Sequence, residues 1–204
     1  MLKGSFGRFL TRTGKHRGDD HAVTLNIRIN LARTVRENGR STLAEGEFRS
    51  IVEIARRSLG EDHRDTLIAW LNLAVTLRQQ GRLTEAEAEY RAVLAAWRRR
   101  FSEEDLTTID IRFELAETMR QNQSPRAAAT EYRKILALCQ RVYGEDHPNT
   151  LIIRYGLAMA LRASGQRDAA RAELSEVLER RRSRLGVDHP LSRATHAELA
   201  SLSD

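Results

Sequence analysis

The chain has 204 residues, 41% of them hydrophobic and 30% charged, with 3 prolines, 12 glycines and a single cysteine. That composition favours helices, leaves little material for a sheet, and excludes an internal disulfide framework or a multi-cysteine zinc module. The net charge of +6 points towards nucleic acid until its placement is read: Lys3, Arg8, Arg12, Lys15 and Arg17 supply +5, and subtracting them leaves about +1 for residues 19–204.

The first stretch, residues 1–19, is a basic tail. It lacks the apolar core of a secretory signal, and no run in the chain approaches the roughly 18 apolar residues of a membrane-spanning helix. With one cysteine, these features imply a cytoplasmic, reducing setting and no transmembrane segment. Leu2, Phe6, Phe9, Leu10 and Thr13 share one helical face, with Arg8, Arg12 and Lys15 elsewhere. Gly4 and Gly7 weaken the helix. The preferred reading packs the phenylalanines on the first repeat as a cap. The alternatives are a disordered overhang, or a basic segment that meets a membrane surface, nucleic acid or a partner.

From residue 20 onward the chain repeats. An acid–His corner recurs at Asp20–His21, Asp62–His63, Asp146–His147 and Asp188–His189, and Glu104–Asp105 fills the middle slot; every step is 42 residues. Leu31–Ala32, Leu73–Ala74, Leu115–Ala116, Leu157–Ala158 and Leu199–Ala200 keep the same phase, as do Arg36, Arg78, Arg120 and Arg162. The units are 21–62, 63–104, 105–146, 147–188 and a half unit 189–202, making with the remainder one array over 20–204.

Each unit reads as two helices. Leu67, Leu71, Ala74, Leu77 and Arg78 follow the helical period, and Gly81 stops that helix as a C-terminal cap. Thr84 with Glu87 predicts a capping box for the next helix, and Pro125 behind Ser124 predicts a first helical residue. One helix pair cannot bury its apolar face, so the units must stack into an all-α, right-handed solenoid. The Asp146–His147–Pro148 corner could be a metal or acid–base pair. Its recurrence once per unit favours a structural role, with the side chain capping free backbone N–H groups.

In the second unit Trp70, Leu73, Ala74, Leu77, Ala86 and Tyr90 resemble the signature of the tetratricopeptide repeat. The 42-residue period and the Gly-Glu-Asp-His-Pro corner at 144–148 are similar to the longer repeats of kinesin light chains and many bacterial relatives. The resemblance spans roughly residues 20–202. It departs where Arg28, Arg112 and Arg154 replace the signature tryptophan, and where Leu174 replaces the aromatic. It implies about four and a half stacked antiparallel helix pairs, the last half unit serving as a C-terminal capping helix.

No G-x-S-x-G, P-loop, H-E-x-x-H or C-x-x-C motif is present, and Cys139 lies in an apolar helical stretch as a packed thiol. The expectation is therefore a protein that is not an enzyme and needs no cofactor or metal. In the resembled family the first helices line a concave groove. Carried over, the groove would hold Ile29, Leu71, Phe113 and Tyr155, then Ile68 and Ile152 beside Asn26 and Asp110, then Val75 and Met159 beside Arg33 and Glu117. The ladder Arg36, Arg78, Arg120 and Arg162 completes it.

An apolar ridge beside guanidinium groups suits a peptide or helix with apolar anchors and acidic residues. The same arginines could instead bridge internally to Glu37, Asp110 or Glu117. Asp110 and Glu117 set the third unit apart, either as a contact for a basic ligand residue or as a relaxed repeat. The expected partner is a protein or peptide, with a homo-oligomer as the alternative. Nucleic acid is disfavoured, because the body is nearly neutral and no aromatics interleave with its basic residues.

Overall fold

The computed structural model describes residues 21–202, so the cap and helix expected of the basic tail at 1–19 lie outside the described residues. Among the described residues there are nine helices and no strand: α1 Ala22–Glu37, α2 Ser41–Ser58, α3 Arg64–Gln79, α4 Leu83–Trp97, α5 Leu106–Gln121, α6 Pro125–Tyr143, α7 Pro148–Ala163, α8 Arg167–Leu185 and α9 Pro190–Ala200. The fold is the all-α repeat that the period predicts. It divides into two compact units, Met1–Gln80 and Gly81–Asp204, and the division falls inside the second 42-residue stretch instead of at a corner.

In the first unit α1 packs on α2, α2 on α3, and α1 also touches α3. Phe48, Ile51, Leu25 and Leu67 are fully enclosed there, each contributing about 1.5–3 kcal/mol by leaving water. In the second unit neighbouring helices pack in chain order from α4 to α9, and α5 also touches α7. Tyr132, Ile135 and Ile111 are fully enclosed, and Cys139 is buried among them as the sequence predicts, its thiol pushed up by burial.

The acid–His corners are helix caps. Nδ1 of His21, His63, His147 and His189 accepts from the backbone N–H two residues on, at 3.2 Å each. Asp105 does the same work in the third repeat, accepting from Thr107 and Thr108. A ring nitrogen that accepts carries no proton, so the other nitrogen bears it in the neutral ring. At three of the corners the hydroxyls of Thr66, Thr108 and Thr150 add a pin by donating to the carbonyls of Gly60, Ser102 and Gly144 at 2.8 Å.

The capping box expected from Thr84 and Glu87 does not form. Leu83 is already helical, and the cap residue is Arg82, whose side chain makes no capping bond and pairs with Glu85 instead. Glu87 instead accepts from Asn122 at 2.9 Å and from Arg91 at 2.7 Å, so contacts from outside its own turn take the carboxylate away. Pro125 does begin α6, behind Ser124.

Of the arginines at the signature tryptophan position, Arg28 and Arg112 are buried and Arg154 is half-buried. Arg28 bonds Glu47 at 2.9 Å, Arg112 bonds Glu131 at 2.6 Å, and Arg154 bonds Glu173 at 3.0 Å, so each first helix is clipped to its own second helix. Arg112 and Arg154 also hold the corner carboxylates Glu103 and Glu145, at 3.0 and 2.7 Å. In the second repeat Trp70 fills the position and the Arg56 guanidinium lies 4.1 Å from its ring centroid.

Truncating Arg112 to Ala takes the close guanidinium partner from the largely buried Glu131, while Glu103 keeps Arg98. A loss of about 2–3 kcal/mol is expected in urea unfolding, whereas Arg57→Ala, which removes an exposed pair with Glu53, should change little. The turn after α5 offers a second check. Gly39, Gly81 and Gly165 close their helices at φ +75, +76 and +82, but the third repeat places Gln123 there at φ +57. Gln123→Gly should stabilise by about 0.5–1 kcal/mol, the relief of left-handed backbone less the added freedom of the unfolded chain, and Gly165→Gln should do the reverse.

Candidate functional site

In the first unit α3 presents Ile68, Leu71 and Val75 on one side, all half-buried, while Trp70, Leu73, Ala74 and Leu77 face the core. Ile29, expected beside them, is only 3% exposed. The helical period places it with Leu25 and Ala32 on the packed side of α1, so it does not line an open surface. Arg36 is half-buried; its guanidinium donates to the side chain and carbonyl of Asn72 at 3.2 and 3.4 Å and lies 5.8 Å from the Phe48 ring centroid. Arg78 is half-buried and engaged as well.

In the second unit the same positions gather around Tyr155. Phe113 of α5, and Tyr155 and Met159 of α7, are half-buried, and Ile152 is 45% exposed. Phe113 meets Tyr132 edge to face at 5.9 Å. The Arg181 guanidinium lies 5.2 Å from the Tyr155 ring centroid, and it donates to the Thr195 hydroxyl at 2.6 Å. Burial raises the Tyr155 phenol, and Glu198 adds to that shift. The predicted ridge is therefore a partly covered apolar face whose most open member is Ile152.

The arginine ladder has partners within the chain. Arg36 and Arg162 each reach 36 residues ahead, to Asn72 and to Glu198. Arg120 cannot, because the matching position is Gly156, and a Cβ there would stand 2.6 Å from the Tyr132 ring. Arg120 turns back to Glu117 of its own helix, with Nε at 3.0 Å. Glu117 is fixed in turn by the Tyr132 hydroxyl at 3.0 Å and by Gln121 at 2.9 Å.

Burial would raise the Glu117 carboxyl, but these donors, Arg120 foremost, hold it below the usual range. Glu117 is thus the internal counter-ion of Arg120. The Asp110 carboxyl is raised by partial desolvation and by the nearby charge of Asp105.

Two residues central to this face were not among those expected from the sequence, Arg181 and Glu198. Their signal lies in the register: Arg181 matches Ala55, Trp97 and Cys139, an otherwise apolar column, and Glu198 matches Asn72, the acceptor of Arg36. Among the described residues no three His, Cys, Asp or Glu side chains come together as a metal site, and no helix is long and apolar enough to cross a membrane.

A family model described as tetratricopeptide repeat matches three overlapping stretches, residues 20–99, 65–137 and 108–183. Among solved structures, a variant of a Podosopora anserina putative kinesin light chain with nearly identical TPR-like repeats is 24% identical. The alignment covers 92% of this chain and 87% of that one, with a TM-score of 0.81. BtubC (BKLC) from P. vanneervenii is 20% identical over 88% of this chain and 72% of its own, at 0.74. YrrB, a TPR protein with an unusual peptide-binding site, is 15% identical over 91% and 82%, at 0.57. At these identities the likeness shows the fold. Among curated proteins, none matches the chain.

The engaged state of Glu117 has a pH signature. Its folded pKa lies below the unfolded value, near 4.3 for a free glutamate, so its stabilisation is full above that value and is lost as pH falls through the folded pKa. Glu117→Gln should cost about 1 kcal/mol at pH 7 and almost nothing near pH 2, read as the difference between two thermal unfolding series.

Proposed function

Since the chain belongs to the tetratricopeptide repeat family, we propose that it is a non-catalytic scaffold for protein–protein interaction, taking a peptide or helix with apolar anchors and acidic residues. Proteins of this family generally serve as interaction scaffolds. YrrB, which shares the fold, has a peptide-binding site of its own. The observation that carries the reading is the Ile152, Tyr155 and Met159 side of α7. It stays partly open to water while Leu151, Ile153, Leu157 and Leu161 on the same helix are 5% exposed or less.

In the second unit the contact surface is Phe113, Ile152, Tyr155 and Met159, flanked by Arg120 and Arg162. Arg162 is the most exposed of the ladder, and an incoming carboxylate can replace Glu198 on its guanidinium without leaving a buried charge alone. In the first unit Ile68, Leu71 and Val75, with Arg36 and Arg78, form the corresponding stretch.

A random peptide library selected on the full chain tests this reading. Selected peptides should carry two or more large apolar residues with Asp or Glu nearby. Their affinity should fall about 10- to 100-fold with Tyr155→Ala or Arg162→Glu and stay unchanged with Arg57→Glu. Peptides without acidic residues, or binding indifferent to both changes, would sink it. Selection that succeeds only below the concentration at which the chain self-associates would favour a homo-oligomer covering this face.

A further inference from the structure

Each first helix after α1 is covered on the side that faces the preceding repeat. In register with Ile27 stand Ala69, Ile111, Ile153 and Thr195, which are 0%, 0%, 3% and 0% exposed. In register with Thr34 stand Thr76, Thr118, Ala160 and Leu202, all buried. In α1 itself that side is bare: Ile27 and Val23 are each 47% exposed, and Thr34 is exposed too. The element that does the covering within each unit is the preceding second helix, α2 against α3 and α6 against α7.

The chain carries a segment in the matching place. Moved back by 42 residues, the span of α2 falls on the first 16 residues, and five residues then lead into α1 just as residues 59–63 lead into α3. The side chains agree. Leu2, Phe6, Phe9 and Leu10 stand in register with Ala44, Phe48, Ile51 and Val52, which are 0%, 0%, 0% and 5% exposed in α2. Lys15 stands in register with exposed Arg57, Gly4 with Gly46, and Gly18 with the corner Gly60.

The corner ion pair extends the match. Arg112 and Arg154 each hold a carboxylate nine residues back, Glu103 and Glu145, and nine residues before Arg28 is Asp19. Arg28 is buried and holds Glu47, and its Nε has no partner among the described residues.

We propose that residues 2–16 are the second helix of a preceding half unit, docked through Leu2, Phe6, Phe9 and Leu10 on the Val23–Ile27 side of α1, with Asp19 paired to Arg28. By the same register Lys15 lies towards solvent with Arg57, and Arg8 and Arg12 fall at the half-buried margins with Ser50 and Ile54, so the segment extends the array by one helix.

Hydrogen exchange of the full chain, followed peptide by peptide at two protein concentrations, tests this. Amides of residues 5–13 should exchange at least roughly a hundredfold more slowly than an unstructured peptide, equally at both concentrations. Phe6→Asp with Phe9→Asp should abolish that protection, and so should Ile27→Asp, while α5–α8 stay protected as the control for folding. Lys15→Glu, in register with exposed Arg57, should leave it intact. Tail amides that exchange at the unstructured rate in the wild type would overturn the proposal. So would protection that disappears on dilution, which would assign the α1 surface to a second copy of the chain.

Discussion

A lone helix pair leaves part of its apolar surface in water, and every other feature of this chain answers to that constraint. Burial of Ile111 and Ile153 is possible only because α5 and α7 are each flanked on two sides, by their own second helix and by the one before. Where a flank ends, the residue type changes. Leu25, Leu67, Ile109 and Leu151 are 5% exposed or less, but the matching residue of α9 is Arg193, fully compatible with the water it meets.

Cations inside such a stack need polar partners, and for three of them those partners are carboxylates. Arg28, Arg112 and Arg154 dictate that Glu47, Glu131 and Glu173 stand on the second helices, and that Glu103 and Glu145 stand in the corners. The clip therefore fixes three things together: the pitch of the pair, the length of the corner and the charge near it. Trp70 meets the same geometric need by filling the volume and taking Arg56 across its face. One position thus has an ionic solution and an aromatic one, and this chain uses both.

Much of this was legible in the sequence. The 42-residue period, the capping role of the acid–His corners, Pro125 at a helix start and Cys139 as a core thiol all follow from local pattern. Thr84 and Glu87 misled because Thr-x-x-Glu is a local motif, while the claim of Asn122 on Glu87 comes from the residue that caps the end of α5. The arginine ladder was visible, as was Glu117 as a counter-ion, but the acceptors of Arg36 and Arg162 lie 36 residues ahead, and nothing adjacent to Arg162 announces Glu198. Ile29 was placed by analogy of position, although the helical period already sets it with Leu25 and Ala32 on the packed side of α1. Arg181 is instructive in the opposite way. Its anomaly in an apolar column was readable, but its placement over Tyr155 required the coordinates.

The close approach of Tyr132 to Gly156 makes the repeats unlike in a way their shared period conceals. A chimaera with the 147–188 segment spliced directly behind 21–62 would preserve length, helix pattern and corners. It would set Gly156 where Asn72 belongs, leaving Arg36 without its acceptor and Phe48 facing a notch shaped for a tyrosine. The units are periodic in sequence but keyed in order, so recombination among them should be far less forgiving than their similarity invites.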